Sequence, residues 1–246
     1  MKIIFLAAGQ GTRLRPLTDS RPKGLVEYQG KPIIRHGIDA ATQLGITDIS
    51  IITGYKAEVF PRIFSDHTIN YFHNDDFMMT NMVYSLFCAE EAFDDDLIVS
   101  YGDIVYTSDV LKYLIRSGSP ISTVVDLDWQ KLWNSRMANP LDDAESLILT
   151  NDDYIKELGK KPNSYNDIMA QYIGLTYIKK SFLDEVSAFY RSLNPAATYD
   201  GKSFRQMYMT SFLQAVIDEL MPIKAVKINR GWTEIDSVED LSTRLD

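Results

Sequence analysis

A strand that empties into a glycine turn constrains this chain more than any other feature. Residues 2–6, Lys-Ile-Ile-Phe-Leu, form a short apolar run that reads as a buried strand, and Ala7 and Ala8 end it. Gly9-Gln10-Gly11-Thr12-Arg13 follows. Alanine and glycine let a backbone come close to a ligand, and successive free N–H groups in such a turn make an anion-binding nest. Arg13, Arg15 and Lys23 add three cations to the same loop. A loop of this kind at the end of a first strand suits a polyphosphate with metal bound.

Two familiar phosphate loops are excluded. The Walker pattern G-x-x-x-x-G-K-[ST] is absent, and Leu14 stands where the third glycine of G-x-G-x-x-G would fall. Downstream, the periodicity predicts a helix opened by Gly30-Lys31-Pro32 and running to about Leu44, a strand over 48–53, a short helix over 57–64 and a strand over 69–72. This alternation is that of a parallel sheet with helices on both faces, where ligands bind beyond the carboxyl ends of the strands. The polar stretch 74–81 leads into a helix to about Glu91; Thr80 or Asn81 is its N-cap, or Asn81 and Ser85 face a nucleotide base, and both readings stand. Asp94-Asp95-Asp96 reads as a solvated acidic turn with no function.

The strand over 97–101 ends at Gly102-Asp103, on the same sheet edge as the glycine loop, which makes Asp103 a candidate magnesium ligand. A helix over 108–117 and a strand over 121–125 follow. Trp129 and Trp133 share a helical face, as a packing pair or as an aromatic wall for a cation. A hairpin of 142–150 with 154–158, a strand over 171–178 with Gly174 inside it, a helix over 182–193, a loop over 194–202, a long helix over 204–220, a strand over 223–228 and a last helix containing Asp240 complete the expected elements. The chain reads as a single domain, 1–246, with the nucleotide features in 1–126 and the acceptor side, with a second carboxylate, in 127–246.

The net charge of −9 argues against non-specific binding to nucleic acid or anionic membranes. The lone Cys88 excludes an intrachain disulfide, fits a reducing compartment and reads as packing. The opening apolar run is too short for a signal-peptide core and no stretch reaches membrane-span length, so a soluble cytoplasmic protein is expected. His36, His67 and His73 show no metal-ligand spacing and read as surface or structural residues.

The full opening string, Leu6-Ala7-Ala8-Gly9-x-Gly11-Thr12-Arg13-Leu14-x-Pro16-Leu17-Thr18 with Pro22-Lys23, resembles the signature of nucleotidyltransferases that join an NTP to a sugar phosphate or a small phospho-alcohol. Asn74, residues 81–86, Gly102-Asp103, Gly159-Lys160-Lys161-Pro162, Gln171-Tyr172-Ile173-Gly174 and Trp232-x-Glu234-Ile235-Asp236-Ser237 fall in the order of the cytidylyltransferase branch, which includes phosphocholine cytidylyltransferase and relatives acting on phosphonates. The resemblance implies a Rossmann-like, three-layer α/β fold with a mixed, mostly parallel sheet.

It also implies roles. Leu6, Ala7, Ala8, Gly9, Gly11, Thr12 and Gly102 would lie along the nucleotide, with Asn81 and Ser85 at its base. Arg13 would hold the outer phosphates, Lys23 would stand near the reacting phosphates, and Asp103 and Asp236 would hold Mg2+. Lys160 or Lys161 would meet the acceptor phosphate, with Gln171 and Tyr172 on the acceptor side. Thr210-Ser211 departs from the Thr-Asp frequent in related enzymes. The expected partners are CTP and a small phosphorylated or phosphonate acceptor, without nucleic acid or membrane, in a monomer or homodimer. The rivals are a sugar-1-phosphate nucleotidyltransferase using UTP or dTTP and an inactive nucleotide-binding regulator. The acceptor stays open: Trp129, Trp133 and Tyr172 would favour an ammonium headgroup, whereas an acidic one would want unpaired Lys160, Lys161, Arg136 or Arg205.

Overall fold

The computed structural model describes residues 1–65 and 68–245; His67 lies outside them. Its centre is a seven-stranded sheet. In chain order the strands are β1 (Lys2–Leu6), β2 (Asp48–Thr53), β3 (Ile69–His73), β4 (Leu97–Tyr101), β5 (Ile121–Asp126), β6 (Gln171–Ile178) and β7 (Lys224–Ile228). They lie side by side as β7-β5-β6-β4-β1-β2-β3. β6 runs antiparallel to both neighbours, and every other pairing in the sheet is parallel.

β1 shows why the sheet is covered on both faces. Ile3 and Phe5 point into one apolar layer and Ile4 into the other, following the two-residue period of a strand. The first layer is closed by α1 (Ile33–Gln43), α4 (Ser108–Ile115) and α5 (Trp129–Arg136); the second by α3 (Met82–Phe87), α6 (Lys180–Ser192) and α7 (Met209–Glu219). A short turn of helix, α2 (Phe60–Ile63), follows β2 and buries Phe60. The chain leaves β1 toward β2 on one side and returns to β4 on the other. Such a reversal opens a crevice beyond the strand ends. No helix of the described residues is long and apolar enough to cross a membrane.

Several elements differ from the sequence expectation. The helix expected over 204–220 is broken: a 3-10 turn at Phe204–Gln206 precedes α7, because Met207 and Tyr208 are extended and Met207 is fully buried. The first arm of the expected hairpin shrinks to Leu147–Leu149, since Pro140–Asp142 form their own 3-10 turn. The last helix is a 3-10 turn at Glu239–Ser242, and 194–202 contains half of a small ribbon, Thr198–Tyr199 with Lys202–Ser203. The acidic turn is a staple: Asp96 accepts from the Tyr177 hydroxyl at 2.9 Å and from the Lys180 N–H at 2.8 Å, tying β6 and the start of α6. Trp129 and Trp133 are buried edge to face with ring centroids 5.9 Å apart, so they are core, not a wall of the site.

Candidate active site

The loop after β1 is pinned before it turns. Ala7 N–H donates to Ile52 O at 2.9 Å, Tyr55 N–H to Ala8 O at 3.0 Å, and the Thr18 hydroxyl to Gly11 O at 2.9 Å. Gly11 sits at φ +63°, and a Cβ there would lie 2.6 Å from Lys23 Cβ. Glycine at this position lets the Lys23 stem pass under the loop. Leu14, fully buried, anchors the far side.

Two distant carboxylates reach this loop through a short antiparallel ribbon. Ile104–Tyr106 pairs with Trp232–Glu234, and Ile235 N–H continues the ladder by donating to Asp103 O at 2.9 Å. The ribbon fixes Asp103 and Asp236 against each other although 133 residues separate them in the chain. Lys23 Nζ bridges them, 2.7 Å from Asp103 Oδ2 and 2.6 Å from Asp236 Oδ1, and Arg13 pairs with the other oxygen of Asp236. Burial pulls the Lys23 ammonium down, but Asp103, Glu234 and Asp236 outweigh it and hold its pKa above the ordinary lysine value. Burial, then the charge of Asp103, pushes the Glu234 carboxyl up against the pull of Arg136 and Lys23.

These groups border a cavity of about 300 Å³. Its floor is Leu6 to Gly9 with Tyr101 and Gly102, and its far wall is Phe77, Thr80, Asn81 and Met82 with Ser85. Gly102 N–H donates to Leu6 O at 3.0 Å, so the ends of β1 and β4 are knitted beneath the cavity. Asn81 caps α3, accepting from Met82 N–H at 2.8 Å, and also lines the cavity. Ser85 accepts from the buried Asn74 amide at 2.8 Å. Gly174, at φ +84°, leaves room for the Tyr101 ring, which a Cβ would approach to 2.4 Å.

The donors suit a hard divalent cation. One carboxylate oxygen each from Asp103, Glu234 and Asp236 lie within 4.8 Å of one another. Asp103 Oδ1 is buried with no hydrogen-bond partner, an orphan acceptor that a cation would satisfy.

Of the residues expected on the nucleotide, Leu6, Ala7, Ala8, Gly9, Asn81, Ser85 and Gly102 line the cavity, as do Arg13, Lys23, Asp103 and Asp236; Gly11 and Thr12 lie beside it. The expected acceptor residues are not brought to it. Lys160 pairs with Glu157 at 2.9 Å, and Lys161 donates to the carbonyls of Leu141 and Asp142. Gln171 is buried and clamps the backbone of Glu145, and Tyr172 packs edge-on against Tyr101 with centroids 5.8 Å apart, one layer behind the cavity. Arg136 and Arg205 are not unpaired: Arg136 binds Glu234 and Asp240, and Arg205 binds Asp76.

Glu234 was not expected at the acid cluster. Its signal was in the sequence, because Glu234 and Asp236 are two residues apart at a strand end, which places both on one face. Phe77, Thr80 and Met82 carry no such signal; only the path of the loop brings them to the cavity.

Residues 3–150 match the MobA-like NTP transferase domain. Over 253 aligned residues the chain is 46% identical to the CTP:phosphoglutamine cytidylyltransferase of Campylobacter jejuni, covering 100% of both. It is 36% identical over 117 residues to the choline-phosphate cytidylyltransferase of Streptococcus pneumoniae, covering 48% of this chain and 51% of that one. The solved inositol-1-phosphate CTP transferase from T. maritima superposes with a TM-score of 0.77 at 20% identity, covering 98% of this chain and 91% of that one. The CTP:phosphocholine cytidylyltransferase from S. pneumoniae does so with a TM-score of 0.71 at 26% identity, covering 97% and 95%. With its opening loop, its mostly parallel sheet and a match over more than half its length, the chain belongs to the MobA-like NTP transferase family of nucleotidyltransferases.

Proposed function

We propose that this chain is a cytidylyltransferase that moves CMP from CTP to the phosphate of a small nitrogen-bearing acceptor, of which phosphoglutamine is the leading candidate. The observation that carries this reading is the convergence of Arg13 and Lys23 with Asp103 and Asp236 at one cavity. The full-length similarity to an enzyme named for CTP and phosphoglutamine supports it.

An oxygen of the acceptor phosphate attacks the α-phosphorus of CTP in line; the P–O bond to the β-phosphate breaks, and pyrophosphate leaves with the electron pair. The nucleophile is an anion near neutral pH, so no side chain has to remove a proton. What the protein must overcome is repulsion between two anions. Lys23 supplies positive charge at the reacting phosphates and Arg13 holds the outer ones. Asp103 and Asp236 would hold Mg2+, which when bound offsets the charge of the triphosphate.

The acceptor nitrogen rests on the full-length similarity to an enzyme named for phosphoglutamine, while Glu145 lies outside the cavity lining. This half-buried carboxylate stands behind Tyr101 and Tyr172, hydrogen-bonded to Thr210. Burial, then Asp143, pushes its pKa up to about 7, and the charges acting most strongly on it, Asp143, Asp200 and Glu234, are all negative.

Pyrophosphate release from CTP, UTP, dTTP, ATP and GTP, each with phosphoglutamine, phosphocholine, inositol-1-phosphate and glucose-1-phosphate, tests the reading. CTP with a nitrogen-bearing acceptor is expected to lead by about 10⁴-fold, the discrimination available when a site's polar groups are left unpaired. Faster turnover of UTP or dTTP with glucose-1-phosphate would replace this reading with a sugar-nucleotide one, and no turnover with any pair would leave a nucleotide-binding regulator.

A further inference from the structure

The loop that carries Asp236 is held from behind by a buried ion network. Arg136, the last residue of α5, has a side chain only 5% exposed. Its Nε donates to Asp240 Oδ1 at 2.8 Å and its Nη2 to Asp240 Oδ2 at 3.2 Å, a two-pronged pair. Its Nη1 donates to Glu234 Oε2 at 3.0 Å. Asp240 Oδ2 in turn accepts the backbone N–H of Asp236 at 2.9 Å and of Ser237 at 2.8 Å. One guanidinium therefore grips the acid two residues before Asp236 and the acid four residues after it, while the second acid fixes the backbone of Asp236 itself.

The network is rigid on its far side as well. Trp133 lies under the Arg136 guanidinium, 5.9 Å from ring centroid to Cζ, and Trp133 packs against Trp232, with centroids 6.3 Å apart, on the strand that ends at Glu234. Both residues of the pair stay charged: Arg136 is held above its ordinary value, and the Asp240 carboxyl, raised by burial, is brought below its own by Arg136 and the two backbone N–H groups. A core could bury apolar groups here at lower cost than an ion pair. The pair sits instead directly behind a carboxylate that faces Arg13 and Lys23.

The geometry points to Arg136 and Asp240 as positioning residues: a buried clamp that sets the carboxylate of Asp236 for the cation and triphosphate, and that keeps the side chain of Glu234 engaged beside it. Neither residue lines the cavity. The inference rests on the nucleotide reading above and adds two residues to it.

The test uses Mn2+ as probe. Free Mn2+ is followed by electron paramagnetic resonance as it is titrated into the full chain with CTP and no acceptor, for the wild type and for R136K, R136M and D240N. Thermal melts of each are run alongside, and KM for CTP is separated from kcat in steady state. The D240N side chain keeps the size of the original and an oxygen for the two N–H groups but loses the charge that pairs with Arg136. R136K keeps the charge but cannot make the fork. The expected result is Mn2+ affinity weakened at least about tenfold in D240N and R136M, with R136K between them and the wild type, and a raised KM for CTP in variants that still melt cooperatively above the assay temperature. Should R136M fail to fold, D240N and R136K decide. Folded D240N and R136K with wild-type Mn2+ affinity and KM would overturn the clamp, even if their melting points fall. A wild-type chain that takes up no Mn2+ with CTP would instead overturn the nucleotide reading.

Discussion

Replacing Lys23 by methionine removes one charge from a nearly dehydrated cluster and leaves the volume of the side chain almost unchanged. The Lys23 side chain is 13% exposed, and its ammonium lies 2.7 and 2.6 Å from oxygens of Asp103 and Asp236. Without it, Asp103, Glu234 and Asp236 face one another with oxygens within 4.8 Å. Two unit charges at that distance repel by about 3.5 kcal/mol at an effective dielectric constant of about 20. Removing one partner of a buried pair costs about 3–5 kcal/mol. For a domain of this size each kcal/mol moves the melting midpoint by about 2–4 °C, so a fall on the order of 10 °C is expected in EDTA. Added Mg2+ should then raise the midpoint of Lys23→Met more than that of the wild type, because a divalent cation and the ammonium compensate the same carboxylates. Calorimetry with and without Mg2+ measures both effects. A midpoint within about 2 °C of the wild type, or a variant no more responsive to Mg2+ than the wild type, would refute the reasoning.

Two other substitutions probe the layer behind the cavity. Gly174→Ala puts a Cβ 2.4 Å from the Tyr101 ring at φ +84°, so it should cost about 2–4 kcal/mol in denaturant unfolding and raise KM, since Tyr101 lines the cavity. Glu145→Gln should alter the pH dependence of stability. A carboxyl raised from an ordinary 4.5 to about 7 binds more protons folded than unfolded between those values, so the wild type loses stability as pH rises through that window. The loss is at most about 3 kcal/mol, and the variant, with no such proton to lose, should show a flatter profile across pH 4.5–7 in urea titrations.

Much of this molecule was legible in the sequence, for identifiable reasons. β1, β2, β4 and β6 were bounded correctly because each is a run rich in Ile, Leu, Val or aromatic residues that is ended by glycine, alanine or charge. The ends of helices were less legible. The expected helix over 204–220 breaks where Met207 turns inward, a tertiary demand that overrides local helical periodicity. The side chains that converge on the cavity from the opening loop were named from residue type and position alone. Asp236 was reached only through resemblance, since nothing local distinguishes it until the ribbon of Trp232–Glu234 with Ile104–Tyr106 sets it opposite Asp103. Lys160 and Lys161 carry the charge expected of acceptor ligands, but their partners lie in the neighbouring hairpin and turn. Arg136 was named among cations that an acidic acceptor would want unpaired, and its two acid partners, about a hundred residues away in the chain, carry no local signal.

A double-mutant cycle on Asp103 and Asp236, read as pyrophosphate release from CTP at saturating acceptor, addresses the central claim most directly. If both carboxylates serve one triphosphate together with Lys23 and Arg13, Asp103→Asn and Asp236→Asn should each lower turnover by about 10²-fold or more, and the double variant should be no more than about tenfold worse than the poorer single one. Singles that retain near-wild-type turnover, or losses that multiply in the double variant, would contradict it.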